Sequence, residues 1–137
     1  MQTATKVLER IQNDHENIKN DEPQRFPEAA TVGDSVRQGD VYITLLESVP
    51  RGAKAIQKPL LQLAPGTTQG SRHCLDSLDG VTLYEIAEAT VLDGPVLEAT
   101  EEKTVTHPEH GDWILPPGCY SITYQRAYAD ELRRVAD

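Results

Sequence analysis

Aromatic residues and cysteines are scarce in this chain. Aromatic side chains make up 5% of the 137 residues, with one Trp and one Phe, so we expect a modest core built mainly from Leu, Val, Ile and Ala. The two cysteines, Cys74 and Cys119, have no CxxC spacing, which is typical of free thiols in a reducing compartment rather than of a disulfide scaffold. The length corresponds to about one domain.

The chain also lacks long apolar runs and an excess of basic residues. No stretch approaches the ~20 apolar residues that a membrane span needs, and residues 1–20 contain no apolar run of signal-peptide length. We therefore expect a cytoplasmic protein that does not contact membranes. The formal net charge of -9 disfavours generic binding to DNA or RNA, because it repels a phosphate backbone at long range. A small anionic substrate held in a local basic pocket is the ligand we expect.

The amino-terminal residues 1–19 carry a thin apolar stripe that predicts an amphipathic helix. The stripe consists of Val7, Leu8, Ile11 and Ile18. Such a helix is marginal in water without a packing partner, which is either its own domain or a second subunit, and we expect a homodimer. Residues 20–35 are polar and rich in turn-forming residues, which predicts a linker or an extended arm.

Residues 36–137 show short alternating runs separated by turn residues, the pattern of a mainly β domain. Asp79-Gly80 is a hairpin signal, and Asp93-Gly94-Pro95 predicts a turn between two strands. Many short strands at this spacing favour a small barrel or a sandwich. Asp130 predicts the start of a short C-terminal helix. The predicted strands are 41–46, 56–63, 81–86, 89–92, 96–98, 103–106, 113–115 and 120–124.

Three of the four histidines lie in two short polar clusters beside turn signals. The first cluster is Gly70-Ser71-Arg72-His73. Arg72 is suited to bidentate contact with phosphate or carboxylate, Ser71 can add a neutral donor, and His73 can move a proton. A surface turn with a polar edge is the structural alternative.

The second cluster is His107-Pro108-Glu109-His110, followed by the turn Gly111-Asp112. Its two imidazoles are compatible with an acid and base pair, with a shared metal, or with simple bonding to backbone carbonyls. A metal would need further ligands, which His73 with Glu109 or Cys74 would supply, although the spacing matches no strong metal signature.

If the histidines act as an acid and base pair, each residue involved has a definite role. In metal-independent cleavage of a ribose phosphodiester, one imidazole takes the 2'-hydroxyl proton, another protonates the leaving oxygen, and a cation stabilises the transition state. These roles would be filled by His73, by either His107 or His110, and by Arg72. Tyr124 and Arg126, on the last predicted strand, are further candidate substrate contacts, although exposed pairing with carboxylates is the ordinary role of such an arginine.

Residues 111–118, Gly-Asp-Trp-Ile-Leu-Pro-Pro-Gly, resemble the second motif of the cupin family, in which such a strand leads through a Pro-Gly turn to a metal-binding His. Tyr120 and Ser121 stand where that His is expected, so the resemblance does not extend to the metal ligand. More broadly, residues 36–137 are similar to small uncharacterised proteins of bacteria and their phages. The similarity rests on 36–41, on the two histidine clusters and on the Leu-Pro-Pro-Gly turn. It implies a recurrent domain without implying an activity.

These observations predict a metal-independent phosphodiesterase or ribonuclease-type hydrolase that needs no cofactor. Its substrate would be a small nucleotide or an oligonucleotide, linear or cyclic, and the cyclic messengers of bacterial defence against phage are one candidate class. The alternative is a cupin-like module that binds a divalent metal or a small ligand, or an assembly protein that docks through its amino-terminal helix. The two histidine clusters must meet in space for the site to exist.

Overall fold

The computed structural model describes residues 22–64 and 73–125. Within these residues the chain forms ten strands and no helix. The strands are β1 (Gln24–Arg25), β2 (Ser35–Gln38), β3 (Val41–Leu46), β4 (Lys54–Ala55), β5 (Cys74–Leu75), β6 (Val81–Glu85), β7 (Asp93–Ala99), β8 (Lys103–Thr106), β9 (Trp113–Leu115) and β10 (Gly118–Tyr124).

The strands form two sheets. The larger sheet has six strands in the order β2-β3-β10-β7-β6-β4, and all its neighbours are antiparallel. The smaller sheet has four strands in the order β1-β9-β8-β5, in which β1 runs parallel to β9. The prediction of a mainly β domain is confirmed. Over the described ranges, the two sheets do not close into a barrel. Of the predicted barrel or sandwich, the structure therefore shows the arrangement with two sheets.

One apolar core lies between the sheets. Alternation along each strand sends every second side chain inward, so Val41 and Ile43 of β3 are fully buried beside Tyr120 and Ile122 of β10. The smaller sheet contributes residues from β5, β8 and β9 to the same cluster. The buried members of the core are Phe26, Val36, Val41, Ile43, Leu63, Ala64, Leu75, Leu83, Leu97, Val105, Trp113, Leu115, Tyr120, Ile122 and Tyr124.

Strand β7 differs from the prediction, because it continues through the expected turn at Asp93-Gly94-Pro95. The register between β10 and β7 shifts between Ser121 and Thr123, opposite this segment. Such an irregularity accommodates a proline, which has no N–H to give to the ladder. Residues 89–92, predicted as a strand, instead form the turn that leads into β7.

Two other predicted elements also differ. Residues 56–63 form no named strand and contribute an isolated bridge between Gln62 and Cys74. The Asp79-Gly80 turn is present, with Gly80 at φ 67°, but it links β5 of one sheet to β6 of the other and closes no hairpin.

The Pro116-Pro117-Gly118 turn likewise carries the chain from β9 in the smaller sheet to β10 in the larger one. The hydroxyl of Tyr120 donates to the Pro116 carbonyl at 2.6 Å, and its ring meets Phe26 edge to face at 5.4 Å between centroids. Burial raises the pKa of Tyr120 to about 12. At the position of the cupin ligand, this chain therefore has a core tyrosine.

The structure describes only part of the regions near the two chain ends for which elements were predicted. The predicted helices at 1–19 and after Asp130 lie outside the described residues. The predicted arm, 20–35, supplies β1 and places Phe26 in the core. In the described part of the chain, no helix has the length and apolar character needed to cross a bilayer. Cys74 and Cys119 are both free thiols.

Candidate functional site

The ladder between β5 and β8 brings His73, from the first polar segment, beside His107, from the second. Cys74 pairs with Thr106 in this antiparallel ladder. His73 precedes Cys74 and His107 follows Thr106, so the two histidines leave the ladder at the same end. Their ring centroids are 4.5 Å apart. His73 of the first cluster and His107 of the second therefore meet in space.

His110 joins the pair through the turn that follows β8. The Gly111 amide donates to the His107 carbonyl at 3.1 Å and closes this turn, and the His110 ring lies 4.6 Å from the His107 ring. The other side of the His110 ring rests on Gly39, in the turn between β2 and β3. A Cβ at Gly39 would lie 2.5 Å from His110 Cδ2, and its φ of +57° also favours glycine. We call His73, His107 and His110 the histidine cluster.

Gln38 determines which nitrogen of His73 carries the proton. The Gln38 Nε2 donates to the Val105 carbonyl at 3.0 Å and to the Gly111 carbonyl at 2.7 Å, so its Oε1 must be the atom 2.7 Å from His73 Nδ1. An amide oxygen only accepts, so His73 Nδ1 donates to it. The lone pair of the neutral ring then lies on Nε2.

His107 is oriented the opposite way. Its Nδ1 accepts hydrogen bonds from the backbone amides of Glu109 and His110, both at 3.1 Å. A nitrogen that accepts two N–H groups carries no proton, so the neutral ring is protonated at Nε2. In the neutral cluster, His73 therefore has its lone pair on Nε2 and His107 has its proton on Nε2.

The cluster is buried and favours the neutral form of His73. His73 is 2% exposed and His107 is 3% exposed, whereas His110 is half-buried. Burial, together with repulsion from His107 and His110, lowers the pKa of His73 from 6.5 to about 3. No carboxylate contributes to this shift. A negative charge that entered the cluster would oppose it.

The orientation of the rings does not fit a divalent metal shared by all three histidines. Binding of a metal at His107 Nε2 would require a proton on Nδ1, where two amides already donate. His73, whose Nδ1 donates to Gln38, has only its Nε2 to offer to a metal. Among the described residues, no group of three or more His, Cys, Asp or Glu side chains is arranged to hold a metal ion. This includes the alternative ligands Glu109 and Cys74.

The other predicted site residues are only partly described. Ser71, Arg72 and Arg126 lie outside the described residues. Tyr124 is buried in the core, and its hydroxyl donates to the Leu63 carbonyl at 3.1 Å.

Tyr124 nevertheless lies close to the histidine cluster along the hydrogen-bond network. The Leu63 amide donates to the carbonyl of His73 at 2.6 Å. Two hydrogen bonds therefore connect Tyr124 to the backbone of His73. Tyr124 and Leu63 also border a groove of about 570 Å³ with a mostly apolar lining that includes Ile56, Leu60 and Leu83.

The residue that the sequence reasoning missed is Gln38. It is 1% exposed and occupies an inward position of β2, two residues after the core residue Val36. A polar side chain at a core-facing position of a strand is the signal that would have found it, because a buried amide needs partners.

The fold and the cluster together define a two-sheet β domain with three histidines gathered at one end. The chain belongs to the family described as a domain of unknown function, DUF8820, whose model matches residues 37–125. The match agrees with the predicted resemblance to an uncharacterised family. A search of the curated proteins and a search of the solved structures each found no match.

Proposed function

We propose that the histidine cluster is a metal-independent acid and base site that cyclises or hydrolyses a phosphodiester in a small nucleotide or a cyclic oligonucleotide. The observation that carries the proposal is the contact of three imidazoles from two separate segments, with centroid distances of 4.5 and 4.6 Å. Acid and base must both reach one reacting group, and His73 and His110 both lie against the ring of His107.

His73 is the base in this proposal, because Gln38 leaves its Nε2 with a lone pair. Nε2 takes the proton of a ribose 2'-hydroxyl, and the oxygen attacks phosphorus. An anionic phosphodiester beside the ring favours the imidazolium that forms. It thereby offsets the low pKa of His73, which burial and the two neighbouring imidazoles cause.

The acid is His110 rather than His107. An imidazolium at His107 would need a proton on Nδ1 and would break two hydrogen bonds to backbone amides. His107 instead donates its Nε2 proton as a hydrogen bond to a phosphoryl oxygen and keeps it. His110, as imidazolium, gives a proton to the leaving oxygen as the phosphorus–oxygen bond breaks. The products are a cyclic phosphate and a free hydroxyl.

The charge pattern supports an anionic substrate. The causes of the low pKa of His73 include two imidazoles and no carboxylate, so a negative group is the ligand that relieves the repulsion. Arg72 precedes His73 in the sequence, and Arg126 follows Gln125, whose amide donates to Asp40 beside the Gly39 turn. With Ser71 and Tyr124, these arginines remain the proposed substrate contacts.

The test is cleavage of an RNA dinucleotide and of a cyclic oligoadenylate in excess EDTA. We expect His73→Gln and His110→Gln to lose about 10²–10⁴-fold in kcat while remaining folded by circular dichroism. Glu109→Gln is the matched control: it removes an exposed neighbouring carboxylate and keeps the amide that His107 needs. Activity that requires a divalent metal and falls in Glu109→Gln would favour the metal-binding alternative.

A binding module is the second candidate, and the groove beside Tyr124 favours it. Leu60 on its wall is 72% exposed and, with Ile56 and Leu83, gives the groove an apolar lining that a ligand could contact. We also propose that this module is cupin-like and that the chain forms a homodimer. A bacterial or phage origin is proposed as well. Saturable binding of an apolar ligand, lost on Leu60→Ser without any cleavage activity, would support this candidate over the enzyme. Light scattering measures the predicted dimer.

The cytoplasmic location is proposed on the two free thiols. Cys74 and Cys119 are unpaired with one another, as a reducing compartment would leave them.

A further inference from the structure

We infer that Gln38 is the positioning residue of the histidine cluster, holding His73 with its proton on Nδ1 so that Nε2 is the accepting atom. The inference rests on the proposed function for its effect on catalysis. The orientation of His73 itself can be measured without any activity. Gln38 touches no substrate in this account and acts only through His73.

The side-chain amide of Gln38 is fully used. Both Nε2 protons have a backbone acceptor, Val105 at 3.0 Å and Gly111 at 2.7 Å, and Oε1 faces His73 at 2.7 Å. Rotating the amide by 180° would place its oxygen against two carbonyl oxygens and its NH₂ against the Nδ1–H of His73. At 1% exposure no water can relieve these contacts, so only one orientation satisfies all three partners.

The three partners of Gln38 come from different parts of the fold. Gln38 ends β2 in the larger sheet, whereas Val105 lies in β8 of the smaller sheet and Gly111 lies in the turn after it. The amide therefore ties the two sheets together directly beside the cluster. His73 is oriented by a side chain that is itself fixed by backbone atoms.

The turn after Gln38 holds a second member of the cluster. Gly39 lies against the ring of His110, close enough that a Cβ would overlap it. One turn therefore positions the proposed base through a hydrogen bond and the proposed acid through a packing contact. Small displacements of such groups reduce rates strongly, because proton transfer depends on distance and alignment.

The experiment records imidazole ¹⁵N spectra and EDTA-resistant cleavage for the full chain and for Gln38→Met, which keeps the volume and removes the amide. In the wild type we expect His73 protonated at Nδ1 and His107 at Nε2. In Gln38→Met we expect His73 to populate both tautomers and kcat to fall by about 10–100-fold, with KM nearly unchanged. Gln57→Met, at an exposed position, is the matched control.

The possible failures are distinguishable. A wild-type spectrum with His73 protonated at Nε2 overturns the inference, and it needs no variant to fold. An unchanged His73 tautomer and an unchanged kcat in folded Gln38→Met also overturn it. A changed tautomer in a protein that cleaves no phosphodiester supports the positioning of His73 and overturns the proposed function instead.

Discussion

His73 and His107 face each other with complementary protonation: the first is turned by Gln38 to present a lone pair at Nε2, and the second is turned by two backbone amides to present a proton at Nε2. The orientation of each ring comes from atoms behind it, in different elements of the fold. The fold therefore holds both rings in defined orientations.

Acid should destabilise the protein through His73. The pKa of His73 is about 3 in the folded chain against an ordinary 6.5, so the unfolded chain binds the proton more tightly. The contribution of His73 is complete above about pH 6.5 and is lost as the pH falls towards 3, because protonation then favours the unfolded state. Between about pH 6 and pH 4, the free energy of unfolding of His73→Gln should fall less steeply, by about 1 kcal/mol per pH unit. Urea unfolding at several pH values measures this, and parallel curves would contradict it.

A methyl group at Gly39 should disturb the cluster more than backbone strain alone explains. Gly39→Ala places a Cβ against His110 and also requires a φ of +57°. Gly33→Ala is the matched control, because Gly33 has a φ of +97° and open space around its Cβ position. We expect Gly39→Ala to cost about 2–3 kcal/mol and Gly33→Ala about 1 kcal/mol, with the His110 resonances shifted only in the former. Equal effects in both variants would argue against the contact.

The stability of the protein should depend more on the volume of the Lys103 side chain than on its charge. Its side chain is 2% exposed, and its ammonium donates to Ser77 at 2.5 Å and lies 3.6 Å from Asp76 and 3.7 Å from Glu101. Both carboxylates are about half exposed and can be solvated without it. Lys103→Met should therefore change stability by less than about 1 kcal/mol, whereas Lys103→Ala should cost about 2–3 kcal/mol. Denaturant unfolding compares them, and a larger loss in Lys103→Met would show that the ion pairs dominate.

The Tyr120 hydroxyl should contribute to stability and to no binding step. Tyr120→Phe leaves the ring contact with Phe26 and removes the bond to the Pro116 carbonyl, which should cost about 1 kcal/mol. Alkaline titration by absorbance should show one tyrosine ionising near pH 12, in line with its raised pKa, and this component should vanish in the variant. A variant that loses phosphodiester cleavage while keeping its stability would place Tyr120 in the site.

The sequence allowed the prediction of those parts of the fold that depend on local pattern. Alternation located β3, β6, β8 and β9, since each has one buried face, and the polar clusters beside turns located the histidines. The extent of β7 was missed, because Gly94 and Pro95 are turn residues by local preference. They are carried in the strand by the pairing of β10 with Asp93 and Val96 on either side of them. Here pairing across the sheet outweighed local propensity.

The sequence allowed the prediction of which histidines form the candidate site. It did not allow the prediction of how their rings are oriented. The pairing of Cys74 with Thr106, which aligns His73 with His107, depends on strand register that the local sequence does not reveal. Gln38 was missed because its partners come from the opposite sheet and the following turn. The tautomer of His73 depends on these long-range partners, whereas that of His107 depends on the backbone amides of its own turn.

The most direct test of the account is an imidazole ¹⁵N titration of the full chain with a 2'-deoxy dinucleotide, which has the phosphodiester and lacks the attacking hydroxyl. The anion should raise the pKa of His73 from about 3, so that Nε2 gains a proton on binding and affinity increases as the pH falls. His107 should keep its proton on Nε2 throughout. If all three cluster imidazoles keep their free-state shifts at saturating ligand, the histidine cluster is not the phosphodiester site.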